Sequence, residues 1–266
     1  MIRLAANLSW LYGEHPFPER FAAAAASGFA GVECLFPYEI PPDELVRLLD
    51  ASGLSLALFN LPAGDWTRGE RGVGALPGRE ADFANSVEQA RRYAARCGTT
   101  RLHAMAGIPP RGAERARCLD TYLANMRRAA AALADDGITL LIEPINTRDM
   151  PGYLLSTLEE AITICGQVNA TNLLIQADLY HLQIMGGDLT RRLAAALPHI
   201  GHVQIAGVPD RAEPDRGELR YEALLEMLDA RGYDGWVGCE YRPAGRTQDG
   251  LGWAAPWLNP GPRPAG

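Results

Sequence analysis

The chain of 266 residues contains no lysine, so all 25 of its Lys plus Arg positions are arginine. That absence excludes chemistry built on a lysine amine, including Schiff-base aldolases, pyridoxal-phosphate enzymes and Walker-type phosphate loops. Carbonyl chemistry here needs another electrophile, and a metal ion is the first candidate. Cysteine is scarce as well. Cys34, Cys97, Cys118, Cys165 and Cys239 are odd in number, scattered and never in a C-x-x-C pair, which argues against a disulfide framework or a thiolate zinc site. No apolar run approaches the roughly 20 residues that cross a bilayer. The opening MIRLAANLSW enters a strand pattern without a charged leader and cleavage site, so a cytoplasmic protein free of membrane association is expected. Positive charge is also in deficit. The formal charge is -7 and no basic stripe is present, which argues against a nucleic-acid partner.

What is there is a succession of short apolar runs separated by amphipathic or alanine-rich stretches, the pattern of repeated βα units. The strands are expected at about Arg3–Asn7, Gly31–Cys34, Ser55–Asn60, Arg101–Met105, Thr139–Glu143, Leu173–Asp178, His202–Ile205 and Trp236–Glu240. Helices are expected over Glu19–Ala26, Pro42–Ala51, Glu80–Arg96, Arg115–Ala134, Thr157–Gln167, Asp188–Ala196 and Tyr221–Ala230. Gly28, Gly53, Gly98, Gly137, Gly166 and Gly232 stand where most of these helices must turn back. No strand is followed by a G-x-G-x-x-G turn, so a single (β/α)8 TIM barrel over residues 1–258 is expected rather than a dinucleotide fold. The Pro/Gly-rich residues 259–266 are expected to form a disordered tail. Pro62 to Gly78 is too long for a simple connector and is expected to be a functional loop at the barrel mouth.

Strands of a parallel sheet covered on both faces should be almost wholly apolar. Four successive strands break that rule at their C-terminal ends, with Glu143, Asp178, Gln204 and Glu240. Active sites of such barrels sit at that end. Alternation along a strand puts Gln176 on the face of Asp178, His202 on that of Gln204 and Gly238 on that of Glu240, and this face should be the interior. Three carboxylates converging in a low-dielectric cleft would be driven to protonate unless a cation sits among them. Two Glu, one Asp and one Gln form an all-oxygen set suited to Mg²⁺ or Mn²⁺. The competing explanation is that each pairs separately with an arginine such as Arg148, Arg211 or Arg242 and merely closes the rim.

The fragments NLSWLYGE, FAGVECLFPYE, LFNLPAGDW, GERG, LPGRE, LIEPIN, QADLYH, GHVQIAGVPDR, GELRY and GWVGCEYRP occur in this order along nearly the whole chain. Together they resemble the hydroxypyruvate isomerase family of xylose-isomerase-like barrels, which includes 2-oxo-tetronate isomerases. The resemblance implies that Glu143 and Glu240 are both metal ligands and the proton donor/acceptor pair, with Asp178 and Gln204 completing the site. His181 and Arg211 resemble substrate contacts of related ketose epimerases, which generally have histidine where this chain has Gln204. That departure favours the hydroxypyruvate isomerase group. Arg242 stands where the family motif has lysine, in keeping with a chain devoid of lysine. LIEPIN and NLPAGDW are closer to the hydroxypyruvate enzymes, whereas ALFN, HAMAG and VQIAGVPDR are closer to the oxo-tetronate enzymes.

The expected activity is a metal-dependent isomerisation of a small hydroxy-keto acid, hydroxypyruvate to tartronate semialdehyde, with 2-oxo-tetronate as the alternative substrate. One glutamate takes the proton and the other returns it. A metal-assisted hydride shift would use the same ligands. A ketose epimerase, an inositol-type dehydratase and a sugar-binding barrel without catalysis are the competing readings. An abasic-site endonuclease is opposed by the acidic charge and by only five histidines. Arg211 is expected on the substrate's acid group, with a surface ion pair to Glu213 or Asp215 as its bland alternative. His103, Asn60, Trp66 and Glu70 are expected near the mouth, and a homo-oligomer is compatible with the sequence.

Overall fold

In the computed structural model, which describes residues 1–258, the apolar runs pair side by side and close on themselves. The strands are β1 (Arg3–Asn7), β2 (Gly31–Cys34), β3 (Ser55–Asn60), β4 (Arg101–His103), β5 (Thr139–Ile142), β6 (Leu173–Asp178), β7 (Ile200–Ile205) and β8 (Trp236–Cys239). Each runs parallel to the next and β1 pairs with β8, so the expected (β/α)8 barrel is the fold observed. The differences lie at strand ends. β4 stops at His103 instead of Met105, β7 begins at Ile200 instead of His202, and Glu143 and Glu240 stand one residue beyond β5 and β8. Residues 259–266, expected as a tail, lie outside the described residues.

The outer layer consists of α1 (Glu19–Ala26), α2 (Pro42–Ser52), α3 (Glu80–Cys97), α4 (Arg115–Ala134), α5 (Leu158–Val168), α6 (Leu179–Met185), α7 (Leu189–Ala196), α8 (Tyr221–Ala230) and α9 (Ala255–Leu258). Helices α6 and α9 were not expected. The first is started by Asp178, whose carboxylate accepts the Tyr180 N–H at 2.9 Å, so a site residue doubles as a helix cap. Helix α5 opens with a capping box. Thr157 Oγ1 accepts from the Glu160 N–H at 3.2 Å and Glu160 Oε2 accepts from the Thr157 N–H at 3.3 Å. Its end corrects one expectation: the helix runs through Gly166, and the left-handed residue that closes it is Asn169, at φ 55°. Asparagine is the commonest side chain besides glycine to accept that conformation.

Two register shifts shape the interior. One extra residue, Ala57, enters β3 opposite Val32 and Glu33, and another, Gly201, enters β7 opposite Ile175 and Gln176. Bulges of this kind re-aim the side chains that follow. At the N-terminal end of the barrel the Trp236 ring packs with Ala5 and Ala57 and fills the space left by Gly31, where a Cβ would lie 2.6 Å from the indole. Arg3 stacks over the same ring at 4.5 Å. The floor is therefore a packed plug, and the polar residues collect above it. No helix among the described residues is long and apolar enough to cross a membrane.

Candidate active site

Glu143, Asp178, Gln204 and Glu240 all point inward at the C-terminal end of the barrel and all are buried. Strand register brings Asp178 opposite Gln204, and Gln204 opposite Gly238. Glu143, Asp178 and His181 each offer one ligand atom within 4.8 Å of the others, a cluster that could hold a metal ion. Glu143 and Glu240 line one cavity of about 100 Å³, together with His103, Gln176, His181 and Arg211. Trp10, Leu35, Trp66, Met105 and Met150 form its apolar wall. A larger depression of about 630 Å³ lies at the opposite end of the barrel, but it holds none of these carboxylates.

Arg211 is the cation of the site. It follows β7 with φ 55°, and its guanidinium lies over the rings of Trp10 and Tyr180 at 4.7 and 5.0 Å. Nη2 donates to Glu240 Oε1 at 2.8 Å and to Asp178 Oδ2 at 3.3 Å. The bland alternative of a surface pair with Glu213 or Asp215 is not the arrangement found: Arg211 turns inward, and Glu213 pairs with Arg216 at 3.8 Å. The rim-closing alternative holds for one arginine only. Arg211 serves two carboxylates at once, while Arg242 stacks over Trp10 at 5.1 Å.

His181 has a defined tautomer. Asn146 Oδ1 accepts the Asp149 N–H at 2.8 Å, which fixes the amide orientation, and Asn146 Nδ2 then faces His181 Nδ1 at 2.6 Å. Nδ1 is therefore the acceptor and Nε2 carries the hydrogen of the neutral ring. That Nε2–H faces Asp178 Oδ2 at 3.5 Å and Glu143 Oε1 at 3.8 Å. A protonated ring nitrogen is a donor without a free lone pair, so in this tautomer His181 presents a hydrogen-bond donor to the cavity. Gln204 is oriented just as firmly. Its Nε2 donates to Glu240 Oε2 and Glu33 Oε1, at 2.6 and 2.7 Å, while its Oε1 accepts from Gln176 at 2.6 Å.

Burial, reinforced by Asp178 and Glu240, pushes the Glu143 carboxyl well above the usual range. Burial likewise pushes Asp178 up to about 6 and Glu240 up to about 8, with Arg211 pulling both back. His103 is pushed down to about 3 by burial and His202, and His181 well below its ordinary value by burial and Arg211. Three buried carboxylates thus have one guanidinium among them, bonded to Asp178 and Glu240, and the neighbouring His103 and His181 are neutral. The set is short of positive charge, which is the electrostatic condition that a divalent cation relieves.

The Pro62–Gly78 loop reaches the mouth as expected, and it is tied down. Gly72 N–H donates to Ala63 O at 2.9 Å, Ala75 N–H to Ala106 O at 2.7 Å and Asn125 Nδ2 to Gly74 O at 2.8 Å. Gly72, at φ 105°, lies so close to the Met105 carbonyl that a Cβ has no room. Trp66 meets Phe36 edge-on at 5.2 Å and Arg71 covers it at 3.9 Å. Glu70 does not enter the cavity and instead pairs with Arg79 at 2.7 Å. His103 and Asn60 do line it.

Sequence reasoning missed Glu33, Asn7, Asn146 and Asp149. Glu33 and Asn7 obey the same rule that found the others, a polar residue on the inward face of a parallel strand, but they sit on β2 and β1. Asn146 and Asp149 belong to the loop after β5 and carry no strand signal.

A family model described as the xylose isomerase-like TIM barrel matches residues 21–258. A 2-oxo-tetronate isomerase from Cupriavidus necator is 57% identical over 258 residues, covering 97% of this chain and 99% of that protein. A hydroxypyruvate isomerase from Escherichia coli is 44% identical over 257 residues, covering 97% and 100%. A Brucella melitensis crystal structure described as an AP endonuclease, family 2, superposes with a TM-score of 0.95 at 50% identity, covering 97% of this chain and 99% of that one. With the family model covering most of its length and enzymes named as isomerases matching nearly all of it, the chain is an isomerase of the xylose isomerase-like TIM-barrel family, in the hydroxypyruvate isomerase group.

Proposed function

We propose that this enzyme interconverts a small hydroxy-keto acid and its isomer by passing one proton between Glu143 and Glu240. The observation that carries the proposal is that both glutamates, one just after β5 and one just after β8, line the same cavity of about 100 Å³. A cavity of that size, walled by Trp66 and Met105, suits a compact acid rather than a nucleic-acid duplex, in keeping with the chain's charge of -7. Identity of 57% to a 2-oxo-tetronate enzyme against 44% to a hydroxypyruvate enzyme supports the four-carbon acid, and hydroxypyruvate is the second substrate to test.

Glu143, Asp178 and Glu240 would hold Mg²⁺ or Mn²⁺, and Gln204 would join them through its amide oxygen, which in the structure accepts from Gln176. Such an ion supplies Lewis acidity, lowering the cost of drawing a proton from the carbon beside a carbonyl. One glutamate removes that proton from C3 and the other delivers a proton to C2, while the hydroxyl proton passes from O3 to O2. Carbonyl and hydroxyl thereby exchange places and no redox partner is needed. His181 Nε2–H donates to a substrate oxygen, and Arg211 receives the carboxylate of the acid. The apolar wall keeps bulk water from the exposed carbanion equivalent.

The test incubates Mn²⁺-loaded protein with 2-oxo-tetronate, hydroxypyruvate and a ketohexose in parallel and follows the isomeric product. Turnover of the acids and not of the hexose is expected. Failure on both acids, with binding retained, would leave a sugar-acid binding barrel in place of the enzyme.

A further inference from the structure

Glu33 is wholly buried beneath the cavity, and neither the metal set nor the proton shuttle uses it. Three donors hold its carboxylate. Asn7 Nδ2 donates to Oε1 at 2.9 Å, Gln204 Nε2 to the same oxygen at 2.7 Å, and His202 Nε2 to Oε2 at 2.7 Å. Two of those donors continue to the site: Asn7 Nδ2 reaches Glu240 Oε2 at 3.2 Å and Gln204 Nε2 reaches it at 2.6 Å. Each amide nitrogen therefore bridges a carboxylate below to the carboxylate above.

The chain also reserves room for this group. A Cβ at Gly238 would collide with both carboxylate oxygens of Glu33. Gly238 has no left-handed backbone to protect, so the missing side chain is needed for that space alone.

We propose that Glu33 is the positioning residue of the proton shuttle: it clamps the amides of Asn7 and Gln204, and through them sets where Glu240 stands. The inference rests on the function proposed above for Glu240, yet its geometry is local. An amide with one hydrogen on each carboxylate cannot rotate without losing a bond on both, so Glu33 also decides which atom Gln204 shows to the site.

Three variants test it in the intact protein. Glu33→Ala is expected to lower kcat about 10- to 100-fold with KM nearly unchanged, and to weaken Mn²⁺ binding, measured by titration calorimetry, by a similar factor. Glu33→Gln keeps the shape and an acceptor oxygen, and His202 can adopt its other tautomer, so most of both losses should be recovered. Gly238→Ala leaves Glu33 in the chain but displaces it, and should reproduce the loss. Added to Glu33→Ala, it should cost little more. A second readout needs neither metal nor turnover: in metal-free protein the side-chain amide ¹⁵N–¹H signals of Gln204 and Asn7 should shift in Glu33→Ala and remain near wild type in Glu33→Gln. Unchanged amide signals and kcat in Glu33→Ala, a Gln variant as impaired as the Ala variant, or additive Glu33→Ala and Gly238→Ala losses would each overturn the proposal. If the wild-type protein neither binds Mn²⁺ nor turns over, the proposed function fails, and the amide signals still decide the clamp. Should Glu33→Ala not fold, Gly238→Ala against Glu33→Gln carries the same decision.

Discussion

The two glutamates are equally buried, at 6% exposure each, but they are held in opposite ways. Glu240 is fixed on both oxygens, by Arg211 on Oε1 and by Asn7 and Gln204 on Oε2. Glu143 faces the rings of His103 and His181 at 3.6 and 3.8 Å, beyond hydrogen-bond length. Donors to a carboxylate favour its ionised form, and burial without them favours the protonated one. In the proposed shuttle this contrast would make Glu240 the base and Glu143 the acid, an asymmetry in place before substrate arrives.

The sharpest break comes from Glu240→Gln and Glu143→Gln, each expected to lower kcat by roughly a thousandfold with substrate binding retained, measured by steady-state kinetics and calorimetry. If one leaves kcat intact, the shuttle is not a pair. Arg211→Met removes the cation from the Glu240 side. A loss of roughly 100-fold in kcat/KM on the acid substrate is expected, with a rise in the pH at which Glu240 titrates, since Arg211 now lowers it. Asn146→Leu acts on the Glu143 side by releasing His181. About a 10-fold loss in kcat/KM is expected, and imidazole ¹⁵N shifts should show Nδ1–H appearing at His181.

The smallest effect is on stability. A carboxyl whose pKa is raised by folding favours the fold while protonated, so metal-free protein should lose stability as pH rises from about 4, the unfolded value. The loss continues through about 6 and on to about 8, where Asp178 and Glu240 ionise. A divalent ion competes with those protons. Mn²⁺ should therefore raise Tm by a few degrees more at pH 8 than at pH 5, read by calorimetry, and an equal shift at both would separate the ion from these groups.

Much of this was legible because parallel strands tolerate so few polar residues. Glu143, Asp178, Gln204 and Glu240 stood out at strand ends, and parity alone placed Gln176 and His202 inward, where the structure has them. Glu33 was hidden because GVEC reads as an apolar run with one interruption, and nothing local says that a carboxylate there finds three donors from β1 and β7. Helix α6 was hidden because its start depends on the Asp178 cap, a role not separable in sequence from that of a ligand. Arg211 could be associated with the acid group through family resemblance, but its left-handed backbone and its inward bonds to Asp178 and Glu240 leave no local sequence signal.

The Trp236 plug has a consequence for traffic. With the indole packed against Ala5, Ala57 and Gly31, the N-terminal end of the barrel is closed, and the cavity above it has Trp66 in its wall. In the proposed isomerisation, substrate, product and the solvent hydrogen that would replace the abstracted proton would all pass the loops at the C-terminal end. How much label washes in during turnover would then be a clock for how often that end of the barrel opens to water.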